Sequence, residues 1–138
     1  MAGKDMISTA RDAGRRLLTE VESKELLLEA GIPTTSALLA TSREEATRLS
    51  RQIGFPAVLK IASTTIVHKS DAGGVRLGLS SEDEVGLAYD EMMAAIKKGN
   101  PDADIQGVSV QPMARPGIEL VMGMSKDQQF GPVLMFGL

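Results

Sequence analysis

Val58-Leu59-Lys60-Ile61, followed by His68-Lys69-Ser70-Asp71-Ala72-Gly73-Gly74-Val75, is the stretch that organises this chain. An apolar strand ends on a lysine. A loop follows that carries the single histidine, and a Gly-Gly pair opens a second apolar run. A strand lysine can meet phosphate as a mobile point charge. A Gly-Gly turn lets backbone N–H groups approach phosphate with no Cβ in the way. Histidine is suited to accept a phosphoryl group or a proton near neutral pH. In this order and at this spacing they point to a nucleotide site with phosphoryl chemistry beside it. Taken singly, each has a plainer alternative: a solvated strand charge, an ordinary turn, a histidine with no part in chemistry.

Composition narrows the classes. With 138 residues there is room for one domain, or one domain and part of another. Hydrophobic residues at 43% and charged residues at 24% describe a globular, soluble chain rather than a disordered one. A net charge of −3 leaves no footprint for nucleic acid or an anionic membrane. There is no cysteine, hence no disulfide framework or thiolate metal site, and one histidine argues against a His-based zinc site. No apolar run approaches the roughly 20 residues of a membrane span. Residues 1–16 are mixed in charge and lack the apolar centre of a secretory signal, so a cytoplasmic protein is expected. Aromatics are only 3% against eight methionines, which implies an aliphatic core softened by methionine.

Three helices begin with the same device. Thr19-Glu20-Val21-Glu22, Ser42-Arg43-Glu44-Glu45 and Ser81-Glu82-Asp83-Glu84 each read as a capping box, hydroxyl first and carboxylate three residues on. Gly31 with Pro33, Gly54, and Gly99 with Pro101 are the matching stops. Strand-like runs cover 36–40, 57–61, 75–79, 107–111, 118–124 and 132–136, and the last three are expected to be antiparallel neighbours. The order α-β-α-β-β-α-β-β-β predicts a layered α/β or α+β domain with helices on a sheet. Residues 1–16 are expected to be a frayed or helical extension. The run Gly131 to Leu138 is apolar and uncapped, which reads as a strand cut short. It is expected to drive self-association through its edge or its apolar face rather than to trail as a disordered tail.

Several motifs then carry a family resemblance. They are Ile53-Gly54-Phe55-Pro56-Ala57-Val58-Leu59-Lys60, Ile66-Val67-His68 through Leu77, Val110-Gln111-Pro112-Met113, Gly117-Ile118-Glu119-Leu120 and Gln129 through Gly137. All resemble the ATP-grasp subunit of NDP-forming acyl-CoA synthetases, with ADP-forming acetyl-CoA synthetase as the typical member. Leu18 through Lys24 is similar to that family's opening helix, and a more distant likeness is to the succinyl-CoA synthetase β subunit. The resemblance covers about residues 17–138.

That resemblance implies the first lobe of an ATP-grasp fold: a mixed sheet flanked by helices, truncated at the C-terminus. It divides the chain into an extension at 1–16, the first lobe at 17–125 and the start of a second lobe at 126–138. It implies interconversion of acyl-CoA, ADP and phosphate with acid, CoA and ATP. His68 would carry the phosphoryl group and Lys60 would contact ATP phosphate. Gly73 and Gly74 would belong to a phosphate-covering loop. Gln111, Pro112 and Met113 would form the hinge against adenine, and Glu119 would sit near the ribose. Lys69 and Ser70 would steady the phosphohistidine. The loop 63–72 would have to be mobile for the histidine to travel. ATP or ADP is the implied nucleotide, and Mg²⁺ would be held by carboxylates that this chain lacks. The implied partner is a CoA-binding subunit or domain, and the chain alone is expected to be inactive. The competing reading is a non-catalytic ATP-grasp-like regulatory or ligand-sensing domain.

Overall fold

The computed structural model describes residues 2–66 and 68–138; Val67, in the histidine loop, lies outside the described residues. The elements in order are α1 (Ala2–Asp12), α2 (Glu20–Glu29), β1 (Leu38–Ala40), α3 (Arg43–Ile53) and β2 (Ala57–Ser63). They continue as β3 (Val75–Leu79), α4 (Glu82–Gly99), β4 (Ile105–Pro112), β5 (Val121–Asp127) and β6 (Gly131–Gly137). The N-terminal extension is therefore helical.

The capping signals fall on the right residues, with one refinement. Only Thr19 closes the full reciprocal box with Glu22. At α3 and α4 the serine accepts the expected N–H, from Glu45 and Glu84. The two carboxylates instead reach one residue further back, to the backbone N–H of Thr41 and of Ser80. The carboxylate thus fastens the residue before the N-cap, tying down the approach loop while the serine serves the first turn.

Four strands form one sheet in the order β1-β4-β2-β3, and every pairing in it is antiparallel where a mixed sheet was expected. The reason is topological. β1 and β2 run parallel and are joined through α3, but β4 lies between them. β3 and β4 run parallel and are joined through α4, but β2 lies between them. Each unit is a split β-α-β whose parallel strands never touch.

Helices α3 and α4 cover one face of this sheet. Leu59 and Ile61 of β2 and Val108 and Val110 of β4 meet Leu49, Val85, Met92 and Ile96 there, all buried. Tyr89 lies at the border, its hydroxyl donating to the Thr41 carbonyl at 3.1 Å. Buried Gly86 leaves room on α4 for the Arg43 guanidinium, which crosses from α3 to pair with Asp90.

The expectation for the last three strands holds in part. β5 and β6 pair antiparallel over Val121↔Gly137 to Asp127↔Gly131. β4 does not join them; it sits between β1 and β2 in the first sheet. Residues 113–120 have no regular structure and separate the two sheets. The hairpin is apolar yet exposed: Met122, Met124, Leu134 and Phe136 are each more than 65% accessible.

Gly107 shows how tightly β4 is held. Its φ is +142°, and a Cβ there would collide with the carbonyl oxygen of Ala40 on β1. Backbone cannot retreat as a flexible side chain can. Gly107→Ala should lower stability by about 2–4 kcal/mol, from strained φ and overpacking together. A shift in the urea midpoint without a change in slope would report it.

Candidate functional site

The period of two in β2 and β4 sorts their side chains. With Leu59 and Ile61 turned into the core, Lys60 is on the opposite face. With Val108 and Val110 in the core, Ser109 and Gln111 share the face of Lys60. The register sets Lys60 directly opposite Ser109 and Val58 opposite Gln111. Lys60 thus stands in the middle of β2, not at its end, because Ile61, Ala62 and Ser63 extend the strand beyond it.

Helix α2 crosses this second face. Its first residue, Glu20, lies just after the Thr19 cap and reaches into the centre. Glu20 Oε1 accepts from Lys60 Nζ at 2.8 Å and from Gln111 Nε2 at 2.9 Å. Glu20 Oε2 is 3.4 Å from Lys69 Nζ, and Lys24 Nζ is 3.7 Å from Oε1. Lys24 Nζ also donates to Gln111 Oε1 at 2.6 Å and to the Thr35 hydroxyl at 2.8 Å. Gln111 Nε2 donates in turn to Ser109 Oγ at 2.9 Å. Gln111 is held on both ends, so its orientation is fixed.

Three ammonium groups against one carboxylate leave the cluster with a surplus of positive charge. Burial alone pushes the Glu20 carboxyl up. Hydrogen bonds from Lys60 and Gln111 and the charges of Lys60 and Lys69 outweigh it and hold the group at about 2. Burial pulls the Lys24 ammonium below its usual value; Glu20 opposes that shift and Lys60 adds to it. An excess of positive charge in a half-buried cleft is a seat for a polyanion.

The loop after β2 brings the histidine to the same place. Lys60, Lys69, His68, Ser70 and Asp71 line one open cavity of about 720 Å³ with Glu20 and Ser23. His68 is exposed there, free to meet a ligand. The loop closes on itself: Ala72 N–H donates to the His68 carbonyl at 3.3 Å, Gly73 N–H to Ser70 at 3.1 Å, and Gly74 N–H to Lys69 at 2.7 Å. Gly73 has φ +72°, which the turn requires. Gly74 is excluded from any side chain by Ile61, whose Cγ2 would lie 2.5 Å from its Cβ. In this conformation both glycine amides are engaged within the loop rather than offered to an anion.

Of the residues singled out in the sequence, Lys60 and His68 line the cavity, and Gln111 is tied to it through Glu20. Gly73 and Gly74 shape the loop beside it. Pro112 ends β4 and pairs with Ala57, and Met113 N–H donates to the Pro56 carbonyl at 3.0 Å, which continues the β2–β4 pairing past the strand end. Glu119 is exposed in the irregular segment after β4 and takes no part in the cluster. Sequence reasoning missed Glu20, Lys24 and Ser109. Glu20 and Lys24 look like a surface i,i+4 pair, and a capping box accounts for an early glutamate without further purpose. The available signal was that α2 carries its leucines at three consecutive positions, so no single stripe claims the inner face; the helix buries no residue.

A family model described as an ATP-grasp domain matches residues 9–138. The chain belongs to that family. The ATP-grasp chain is similar to the β subunit of ADP-forming acetate–CoA ligase I from Pyrococcus furiosus, with 42% identity over 135 residues, 98% of this chain and 58% of that protein. It also resembles the dinucleotide-forming acetyl-coenzyme A synthetase 1 of Ca. Korarchaeum cryptofilum in complex with coenzyme A, Ca-AMPCP and HgCl⁺. The TM-score is 0.95 at 49% identity, covering 98% of this chain and 59% of that one. Another structure of the Korarchaeum protein, with coenzyme A and Mg-AMPPCP, has a phosphohistidine segment pointing towards the nucleotide binding site; its TM-score is 0.81 at 45% identity. This chain spans 58% and 59% of the first two proteins.

The Glu20 network has a pH signature. Its carboxyl sits at about 2 in the folded chain against an ordinary 4.5. The stabilisation is therefore fully present above about pH 4.5 and is lost as pH falls towards 2. Glu22, held near 2 chiefly by its hydrogen bond with Arg15, adds a separate contribution in the same window. Glu20→Gln should cost about 1–2 kcal/mol at pH 7 after allowance for solvent screening. Urea unfolding should show that difference shrinking between about pH 5 and 2, with Glu22→Gln shrinking independently.

Proposed function

We propose that this chain is the nucleotide-binding portion of an ADP-forming acyl-CoA synthetase. The complete enzyme would interconvert acyl-CoA, ADP and phosphate with acid, CoA and ATP through a phosphohistidine. The observation that carries this reading is one cavity lined by Lys60, Lys69 and exposed His68, with Lys24 and Gln111 adjoining it. The similarity to subunits of ADP-forming acetate–CoA ligase supports it. That similarity also favours a ligase over a ligand-sensing domain.

In this reading a neutral ring nitrogen of His68 forms a bond to phosphorus as the phosphorus–oxygen bond of an acyl phosphate breaks, releasing the carboxylate. The terminal oxygen of bound ADP then attacks the same phosphorus, the phosphorus–nitrogen bond breaks, and ATP forms. Splitting the transfer lets two distant sites share one carrier. Lys60 and Lys69 offset the charge on the phosphate oxygens, as transfer with little covalent assistance requires. Lys69 and Ser70 flank the carrier. Gln111, Pro112 and Met113 would flank the base with the groups that the β2–β4 pairing and the Glu20 cluster leave free, and Glu119 would approach the ribose from the segment after β4. Gly73 and Gly74 would cover phosphate after the loop opens, which requires residues 63–72 to move.

Mg²⁺, when bound, would neutralise phosphate charge. The lysine-rich cradle does not fit it, and among the described residues no three His, Asp or Glu side chains gather as a metal site. Its protein ligands are assigned to the remainder of the enzyme. The implied partner is a CoA-binding subunit or domain. Among the described residues no helix is long and apolar enough to cross a membrane; a cytoplasmic setting goes with the use of ATP and CoA. An extension, a first lobe and the start of a second lobe remain the proposed division; a boundary at 125/126 falls inside β5 (Val121–Asp127), which favours a junction in residues 113–120.

Calorimetric titration tests the reading. This chain should bind ATP or ADP weakly and show no turnover, and Lys60→Ala should weaken binding about tenfold or more by removing a charge-assisted contact. In the complete enzyme His68→Ala should abolish acyl-CoA synthesis while leaving nucleotide affinity nearly intact. Normal turnover after that substitution would remove His68 from the pathway.

The hairpin supports a second expectation, self-association. Its exposed apolar face suits packing against another copy when no other cover is present. Sedimentation should show association that the double substitution Leu134→Lys, Phe136→Lys abolishes; a monomer throughout at high concentration would rule it out.

A further inference from the structure

Glu20 lines the site and the phosphoryl chemistry does not use it. It is a carboxylate in the centre of a lysine cradle. Side chains from four places in the chain converge on it: Lys24 from α2, Lys60 from β2, Gln111 from β4 and Lys69 from the histidine loop. Such convergence of ammonium and amide donors on two oxygens is what a phosphate group would also attract, with more oxygens and more charge.

We infer that Glu20 is an internal stand-in for nucleotide phosphate, seated on Lys60 and Lys69 when the site is empty and displaced when a polyphosphate arrives. The inference rests on reading the cavity as the nucleotide's seat. Three features support exchange over simple addition. First, Lys60 donates to Glu20 at 2.8 Å, so a phosphate cannot take that ammonium head-on without moving the carboxylate. Second, Glu20 lies on the first turn of a helix, at the edge of the cavity, where a change of side-chain rotamer carries its carboxylate away without disturbing the sheet. Third, the alternative of Glu20 staying in place would leave two anions sharing the same lysines, a like-charge contact that a low-dielectric cleft penalises.

The exchange gives the empty site two properties. The lysines are held extended over the cavity instead of dispersing into solvent, which lowers the ordering cost of binding. They are also internally compensated, so a singly charged anion gains little by entering, while a di- or triphosphate gains by replacing one carboxylate with several charges. Glu20 is thus a positioning residue that also discriminates by charge.

The test compares the chain with Glu20→Gln, using ATP and, separately, inorganic tripolyphosphate as probes in calorimetry. Removing the competing charge should tighten tripolyphosphate binding about fivefold or more and make it more sensitive to salt. In the unsubstituted chain, the ¹³C signal of the Glu20 carboxyl should titrate near 2 when empty and move towards the ordinary 4.5 when tripolyphosphate is bound. This second readout does not depend on the variant folding. A Glu20 that stayed on the lysines would also titrate higher beside the bound anion, so the deciding signal is loss of the Lys60–Glu20 contact, read in the Lys60 ammonium and Glu20 carboxyl shifts at pH 7; retention of that contact on binding would overturn the exchange. If ATP binds both proteins equally, or binds Glu20→Gln more weakly, the exchange is wrong and the nucleotide reading stands. If tripolyphosphate tightens but ATP does not bind, the exchange stands and the nucleotide reading falls. If neither probe binds either protein, both fall.

Discussion

Strand β2 has to satisfy two opposite environments at once. Its odd-numbered residues Ala57, Leu59 and Ile61 are fully buried under α3 and α4. Its even position 60 presents an ammonium to the other face, where α2 supplies a carboxylate. A slip of one residue would place Lys60 in the aliphatic core and Leu59 in the charged cleft. The pairing with β4 prevents that slip, because β4 carries the same alternation: valines inward, Ser109 and Gln111 outward. The core and the site are two sides of one register.

On the proposed reading, the charges on the second face serve a ligand more than the fold. Replacing a buried ion pair by apolar residues often leaves stability unchanged or improves it, so a cluster of three lysines and one glutamate is a poor stabilising device for its size. What it does well is hold positive charge in a fixed, partly dehydrated position. That is the condition under which electrostatic stabilisation of a transferring phosphoryl group is effective, since the donors need not reorganise during reaction. Gln111 is held at both ends by Lys24, Glu20 and Ser109, so its amide has one orientation.

The hairpin of β5 and β6 obeys a different logic. Its strands are apolar on their accessible surface and belong to no sheet but their own. A two-stranded ribbon gains little stability alone, and apolar side chains such as Phe136 and Leu134 call for cover. The relatives are longer than this chain, which spans 58% of the Pyrococcus protein. The irregular segment 113–120, which contains Pro116 and Gly117, joins the hairpin to the four-stranded sheet.

Local features were legible in the sequence because local physics decides them. The capping residues Thr19, Ser42 and Ser81, the stops at Gly31 and Gly54, and the β3 boundaries follow from neighbouring residues alone. The aliphatic face of α4 follows from its spacing, and the family resemblance followed from contiguous motifs around Lys60, His68 and Gly73-Gly74. Three things did not lie in any local stretch. The place of β4 between β1 and β2 depends on pairing across 42 (Ser63↔Ile105) to 72 (Leu38↔Val110) residues, which no window of sequence contains. The reason for Gly74 is a methyl of Ile61 on the neighbouring strand. The Glu20 cluster joins residues up to 91 positions apart, and until α2 folds across the sheet Glu20 is only a helix-start carboxylate. Sequence by itself determined where elements begin and which chemistry is present; tertiary structure alone decided which charges face one another, because electrostatic contact depends on distance in space.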